Sequence, residues 1–131
     1  MVRFARRGQG ALSHPAYLTS AYILRGARPD GVIVQHAPFR GALGDYPAIP
    51  MPTAASEIAL IESFAHTRVI GVTINHENMS DEQITAAIDE LELDLGIPAT
   101  DALARPIELL VEMVLQAYPA LRERISGGVL T

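Results

Sequence analysis

Two short runs of apolar, mostly β-branched residues limit what this chain can fold into. The runs are GVIVQH at positions 31–36 and RVIGVTIN at positions 68–75, and helical spacing precedes the second run. Runs that are apolar almost throughout are typical of strands buried on both faces of a parallel sheet. Strands that alternate with helices form right-handed crossovers. The sequence therefore predicts an α/β fold with a mostly parallel sheet and helices on both faces.

Capping signals and apolar spacing predict two helices in the first half of the chain. Pro15 suits a first helical turn, so we expect a helix over 16–26 that is apolar nearly all round, is therefore buried, and ends at Gly26. Thr53 predicts the N-cap of a second helix. Its apolar residues fall on one face: Ile58, Ile61, Phe64 and Ala65. Positions 37–52 hold four prolines and show no period, so we expect a long loop there.

Two further helices are predicted in the second half of the chain. Ser80 and Gln83 have the spacing of a capping box, and Gly96 is expected to end the helix that follows. Pro106 opens a segment with one apolar stripe, which predicts a fourth helix. Because proline cannot continue a helix without loss of a hydrogen bond, Pro119 is expected to disturb the end of this helix.

The composition fits one globular domain and excludes several kinds of chemistry. With 131 residues, of which 49% are hydrophobic and 19% charged, the chain is expected to form a single α/β domain over 1–131. A net charge of −5 argues against nucleic acid as a partner. The absence of Cys excludes disulfides, thiolate nucleophiles and Cys-ligated zinc. All ten basic residues are Arg, which excludes lysine Schiff bases and the phosphate loop G-x-x-x-x-G-K-[ST].

No part of the sequence predicts contact with a membrane. A membrane-spanning helix needs about 18 consecutive apolar residues, and no run approaches that length. Near the N-terminus, Gly8, Gly10, His14 and Pro15 interrupt any leader-like apolar stretch. We therefore expect a cytoplasmic protein.

Polar residues follow both predicted strands. His36 ends the first strand, and Asn75 and His76 end the second. In parallel sheets, ligands bind beyond the carboxyl ends of the strands. A strand formed by VRFAR would bring the turn at Gly8, Gln9 and Gly10 to the same edge, where glycines allow the backbone to approach a ligand closely. The sequence therefore predicts a ligand site at this edge.

Residue chemistry indicates what this site handles. His14 and His36 are the candidate catalytic residues, because an imidazole with a pKa near about 6.5 exchanges protons at working pH. Arg40 can bind a carboxylate or phosphate through two hydrogen bonds. A metal site formed by His14, His36 and His76 is conceivable, but no H-x-x-x-H or H-E-x-x-H spacing supports it, so we predict no metal. For Ser13 we favour a turn or capping role over that of a nucleophile.

Five blocks of the sequence carry a family resemblance. In order, GQGALSHPAY, RPDGVIVQHAPFR, YPAIPMPTAASEI, RVIGVTIN and DLGIPATD resemble the C-terminal domain of the D-glutamate (D-amino-acid) N-acetyltransferase family, formerly a domain of unknown function. The resemblance covers about residues 6 to 118. It implies a partial P-loop NTPase-like fold of the dethiobiotin synthetase type. It also implies that this chain is the C-terminal part of a longer architecture that begins with a Rossmann-like domain.

The resemblance implies a function and a set of site residues. The function is N-acetyl transfer from acetyl-CoA to D-glutamate or a related D-amino acid, with the small-molecule amino acid as partner. By the resemblance, the glycine turn and His14 line the cleft, His36 and Arg40 approach the acidic substrate, and Asn75 supports the nucleotide-like part of the donor. The substrate- and cofactor-binding residues are then Gly8, Gln9, Gly10, Arg40 and Asn75.

Some positions depart from the family pattern, and alternatives stay open. Arg7 replaces an acid, Ala11 replaces a small hydroxyl residue, and Ala37 replaces a residue that is commonly acidic. We expect little catalysis from the isolated chain and weak or no binding of ATP or acetyl-CoA, because a donor cleft needs both walls. The alternatives are an ATP-dependent ligase of the dethiobiotin synthetase type, with Asn75 near the base, and a non-catalytic remnant or interaction domain. An exposed apolar sheet edge would also favour a homo-oligomer.

Overall fold

The chain forms an α/β fold in the computed structural model, which describes residues 11–15 and 19–128. Within this part of the chain the helices are α1 (Thr19–Ala27), α2 (Ala54–Ala65), α3 (Asp81–Leu95), α4 (Ile107–Ala117) and α5 (Pro119–Ser126). The strands are β1 (Gly31–His36), β2 (Ala42–Leu43), β3 (Tyr46–Pro50), β4 (Arg68–Ile74) and β5 (Ala99–Thr100). The predicted α/β class is confirmed.

The main sheet is parallel and has the order β1-β4-β5. Helix α2 lies in the connection from β1 to β4, and α3 lies in the connection from β4 to β5. Both connections are therefore βαβ crossovers, as the alternation of strands and helices predicts. Because all three strands point the same way, the residues that follow β1, β4 and β5 meet at one edge of the sheet.

The two predicted capped helices begin where their sequence signals lie. Thr53 accepts a hydrogen bond from Ser56 N at 3.1 Å and caps α2. Ser80 and Gln83 form a complete capping box at the start of α3. Gly96 ends α3 with a φ of 65°, a left-handed conformation that glycine adopts without a steric penalty.

A bulge in the pairing of β1 with β4 places Val69 and Gly71 on opposite faces of the sheet, although residues two apart in a regular strand share a face. The register passes from Val32 opposite Val69 to Ile33 opposite Gly71, so Ile70 is the additional residue. Val69 packs with Val34 and Ile61 of α2 in the core. Gly71 instead faces Met113 of α4. Helices therefore cover both faces of the sheet, as predicted.

The prediction of one long loop over 37–52 is wrong, because the segment contains two strands. The segment contains the antiparallel hairpin β2–β3, in which Leu43 pairs with Tyr46 and Ala42 with Pro50. The prolines of β3 hide this hairpin in the sequence, because proline lacks an N–H and is depleted in strands. Gly44 lies in the hairpin turn with a φ of 39°.

Three further features of the helices and strands differ from the expectations or were not predicted. Helix α1 is not buried all round, since Tyr22 is 72% exposed, and it passes Gly26 to end at Ala27. Pro119 does not merely disturb α4, because it is the first residue of α5. Strand β5 was not predicted, since two residues are too few to show a period. Residues 16–18 of the expected first helix lie outside the described part of the chain.

Candidate functional site

A cavity of about 670 Å³ lies at the carboxyl ends of β1 and β4. Its walls come from the end of β1, the β2–β3 turn, the start of α2 and the residue after β4. The structure brings four of the residues predicted from sequence to this cavity: His14, His36, Arg40 and Asn75. The other three, Gly8, Gln9 and Gly10, lie outside the described residues. This cavity is the candidate functional site.

The parallel pairing of β1 and β4 places His36 beside Asn75. His36 pairs with Ile74 in the register, and Asn75 N donates to His36 O at 2.7 Å. This is the arrangement that the sequence predicts for the ends of parallel neighbours. The side-chain oxygen of Asn75 accepts from Glu77 N at 3.3 Å and so fixes the turn after β4.

Burial sets the protonation of His36. Desolvation lowers the pKa of the His36 imidazole, because the partly buried ring loses the hydration that stabilises its charged form. His36 is therefore neutral at neutral pH. A neutral imidazole can accept a proton through one nitrogen and donate through the other.

We expect an NMR titration of the His36 ring to give a midpoint below about 6.5, the usual value for histidine. A folded pKa below the unfolded one means that the unfolded chain binds more protons in that window. The contribution of His36 to stability is thus complete above about pH 6.5 and is lost as the pH falls through the folded pKa. The variant H36Q assigns the resonance by its loss. A midpoint at or above 6.5 would contradict this account of the site.

Arg40 reaches the cavity from the turn after β1. Its backbone N–H donates to Ala37 O at 3.1 Å, and its guanidinium forms an ion pair of 2.5 Å with Glu77. The Arg40 and Glu77 side chains are 41% and 52% exposed. Ion pairs with this exposure contribute about 0 to 1 kcal/mol to the free energy of unfolding. An anionic ligand can therefore compete with Glu77 for Arg40 at a small cost in free energy.

His14 is one of the more deeply buried side chains of the cavity wall, at 4% exposure. Its ring meets Tyr46 of β3 edge to face, with centroids 5.3 Å apart and an interplanar angle of 81°. His14 N donates to Ala11 O at 3.0 Å, which closes a turn over 11–14. His14 thus joins residues 11–14 to the β2–β3 hairpin.

Glu57 is a residue of the cavity that the sequence analysis missed. It lies on α2, lines the cavity and is 4% exposed. Its carboxylate accepts hydrogen bonds from Leu12 N and from Ser13 Oγ, the latter at 2.8 Å. The turn role expected for Ser13 therefore includes a contact 44 residues away. A signal was present in the sequence, because Glu57 has the spacing of the buried positions Ala54 and Ile61.

A second missed residue, Asp101, follows β5 and is completely buried. Its Oδ1 accepts from the backbone N–H groups of Leu103 at 2.9 Å and Ala104 at 2.8 Å. Its Oδ2 lies 2.5 Å from Nδ1 of His76. Burial opposes ionisation, but the two backbone donors and His76 outweigh it and lower the pKa of Asp101.

His76 therefore has a different environment from the two histidines of the cavity. His14 and His36 line the cavity, whereas Nδ1 of His76 bonds to Asp101 at the edge formed by β4 and β5. Over 11–15 and 19–128, no cluster of three or more His, Asp or Glu side chains has an arrangement that would hold a metal ion. No helix in the same ranges has the length and hydropathy needed to cross a membrane.

Comparison with known proteins places the chain in a family. A family model described as a domain of unknown function (DUF1611_C), P-loop domain, matches residues 6–111. A protein named D-glutamate N-acetyltransferase from a Pseudoalteromonas species is 30% identical over 110 residues, which are 79% of this chain and 33% of that protein. A protein of the same name from Tritonibacter scottomollicae is 29% identical over 101 residues, 72% of this chain and 30% of that protein.

A solved structure agrees with these sequence matches. The crystal structure of a DUF1611 family protein from Anabaena variabilis has a TM-score of 0.77 and 26% identity, and the match covers 83% of this chain and 34% of that one. This chain spans about a third of the length of each of these relatives. The resemblance carried by the five sequence blocks is confirmed, and the chain belongs to the DUF1611 family, whose C-terminal P-loop domain it matches.

Proposed function

We propose that this domain binds the amino-acid acceptor in an N-acetyl transfer to D-glutamate or a related acidic D-amino acid. The main observation in support is that Arg40, His36 and Asn75 line one cavity at the carboxyl edge of the sheet. The names of the two relatives supply the reaction class. The cavity chemistry fits an acidic substrate, because a guanidinium binds a carboxylate through two parallel hydrogen bonds.

Arg40 binds the side-chain carboxylate of the acceptor in this proposal. Glu77 occupies one terminal nitrogen of the guanidinium, and Arg40 has five N–H donors in all. A second carboxylate can therefore bind at another edge of the same group. Because the Arg40–Glu77 ion pair is exposed and weak, Glu77 does not prevent this second carboxylate from binding.

His36 is the proton acceptor for the amino group of the substrate. As the neutral amine attacks the acetyl carbonyl and the C–N bond forms, His36 accepts one proton from the nitrogen. The C–S bond of the thioester breaks, and the leaving thiolate takes that proton from His36. Burial keeps His36 in the neutral form at neutral pH. The hydrogen bond from Asn75 N to His36 O holds the backbone of this residue at the end of β1.

Acetyl-CoA is the proposed donor, but the described residues do not form a complete site for it. Its phosphates need cations or several backbone N–H groups. Among the described residues that line the cavity, Arg40 is the one arginine, and it is already assigned to the side-chain carboxylate of the acceptor. An adjoining cavity of about 380 Å³ is bordered by Glu90 and Asp94, whose charges disfavour phosphate. We therefore assign the acceptor, and no donor contacts, to these residues.

Titration of the chain with D-glutamate, followed by backbone NMR, tests this proposal. We expect saturable shifts of cavity residues, and we expect D-norvaline, which lacks the side-chain carboxylate, to bind at least about 10-fold more weakly. The variant R40Q should weaken D-glutamate binding by about 10- to 100-fold, the value of a charge-assisted hydrogen-bond pair.

The matched control is R122Q. Arg122 is also an exposed arginine paired with a glutamate, Glu112, but it lies on α5 and does not line the cavity. Its replacement should leave D-glutamate binding unchanged. No saturable binding of D-glutamate to the wild-type chain, or equal loss in R40Q and R122Q, would contradict the proposal.

A further inference from the structure

We propose that Glu57 binds the ammonium group of the amino-acid acceptor and so selects amino acids over other dicarboxylates, an inference that rests on the proposed function. Glu57 lines the same cavity as Arg40. An acidic amino acid carries one ammonium and two carboxylates, so its recognition needs an anionic group as well as a cationic one. Arg40 follows β1 and Glu57 belongs to α2, so two separate elements supply the two charges.

The Glu57 carboxyl group is buried, which is the observation that connects it with a ligand. The side chain is 4% exposed, and over the described residues no arginine or histidine forms an ion pair with it. Removal of a carboxylate from water is costly unless hydrogen bonds and a countercharge compensate. The hydrogen bonds from Leu12 and Ser13 supply part of this compensation. A bound ammonium would supply a positive charge that no described arginine or histidine provides.

The geometry leaves room for that ammonium. Each carboxylate oxygen can accept two hydrogen bonds, and each oxygen of Glu57 has one donor among the described residues. The two existing bonds fix the carboxylate, which reduces the entropy lost when a ligand binds. Glu57 thus presents a positioned acceptor at the wall of the cavity.

Other acidic residues near the cavity do not have these properties. Asp45 lines the cavity but is exposed, so solvent screens its charge. Glu77 is 52% exposed and is paired with Arg40. Of these three acids, Glu57 is the buried one, and no arginine or histidine within 11–15 and 19–128 forms an ion pair with it; for that reason we assign the ammonium to it.

The test compares D-glutamate with glutarate, which has the two carboxylates but no ammonium. We expect the wild-type chain to prefer D-glutamate by about 10-fold or more. In E57Q, D-glutamate binding should weaken by at least that factor while glutarate binding does not weaken, because the amide keeps the shape but loses the charge. The control E62Q changes a glutamate of the same helix that bonds Val69 N and does not line the cavity. It should keep the wild-type preference.

NMR of the Glu57 carboxyl group in the wild-type protein tests the proposal even if E57Q does not fold. In wild-type protein with ¹³C-labelled glutamate side chains, D-glutamate should shift the Glu57 carboxyl resonance and glutarate should not. Retained preference in E57Q, or an unmoved Glu57 resonance at saturating D-glutamate, would overturn this inference. Equal binding of the two ligands to the wild-type chain would overturn it as well while the acceptor proposal stands. Binding of neither ligand would refute the acceptor proposal itself.

Discussion

Replacement of Asp101 by alanine is expected to lower the free energy of unfolding by about 3 kcal/mol, because it removes the acceptor of three buried or partly buried donors. Two of them are the backbone N–H groups of Leu103 and Ala104, and the third is Nδ1 of His76. Alanine has no group to replace these bonds, and the turn after β5 would be left with unsatisfied donors. Urea unfolding followed by circular dichroism measures the change.

The variant D101N separates the hydrogen bonds from the charge. Asparagine can still accept from Leu103 and Ala104 but cannot be a carboxylate partner for His76, so we expect a smaller loss than in D101A. D89A is the control, since Asp89 is an exposed residue of α3, and its effect should stay within about 0.5 kcal/mol. A loss in D101A no larger than in D89A would show that the turn does not depend on this carboxylate.

The lowered pKa of Asp101 adds a pH dependence with a defined sign. An unfolded aspartate titrates near about 3.9, and the folded pKa lies below that value. The unfolded chain therefore binds more protons in that window, and acid favours unfolding. The contribution of Asp101 is complete above the unfolded pKa and is lost as the pH falls through the folded one. D101N should accordingly show a shallower loss of stability in acid than the wild type.

Replacement of Gly71 by alanine is expected to cost about 3 kcal/mol through overpacking. A Cβ at Gly71 would lie 2.6 Å from Cγ and 2.7 Å from Cε of Met113, and closer still to Sδ. Met113 is 2% exposed, so the added methyl meets a buried side chain that must change its rotamer, partly toward the cavity of about 320 Å³ that it lines. The added methyl must displace α4 from the sheet or force a strained methionine rotamer. The midpoint of urea unfolding reports the loss.

A double-mutant cycle identifies the cause. M113A alone should cost about 2 to 5 kcal/mol, because it leaves a cavity. In that background G71A should add almost nothing, since the clash has been removed. G26A is the matched control: nothing lies within 4 Å of a Cβ at Gly26, and alanine favours the helix. Equal costs of G71A with and without Met113 would rule out the proposed contact.

The parts of the fold that were predicted correctly carry local signals. The runs at 31–36 and 68–75 are long enough to be recognised as buried strands. Thr53, Ser80 and Gly96 have side chains or backbone freedom that suit one position of a helix. The juxtaposition of His36 with Asn75 followed from parallel pairing alone. These features depend on residues close together in the sequence or on one topological rule.

The missed parts depend on tertiary contacts. Strand β5 is held by two pairs with β4, and the β2–β3 hairpin forms in spite of its prolines. Asp101 resembles an ordinary surface acid in the sequence, and Glu57 shows only the spacing of the buried positions of α2; the fold supplies the partners of both residues. The assigned roles of His14, His36, Arg40 and Asn75 remain predictions, although all four side chains line one cavity.

The contacts that hold the cavity walls connect distant parts of the chain. Glu57 bonds residues 44 and 45 positions earlier, and Arg40 pairs with a residue 37 positions later. Closure of such loops loses entropy before any contact compensates, so no short segment can assemble the cavity in advance. A ligand of this site therefore binds the folded chain and not the unfolded one, and mass action must raise the melting temperature as its concentration rises. Thermal denaturation in the presence of candidate acids can consequently identify the ligand without any catalytic assay.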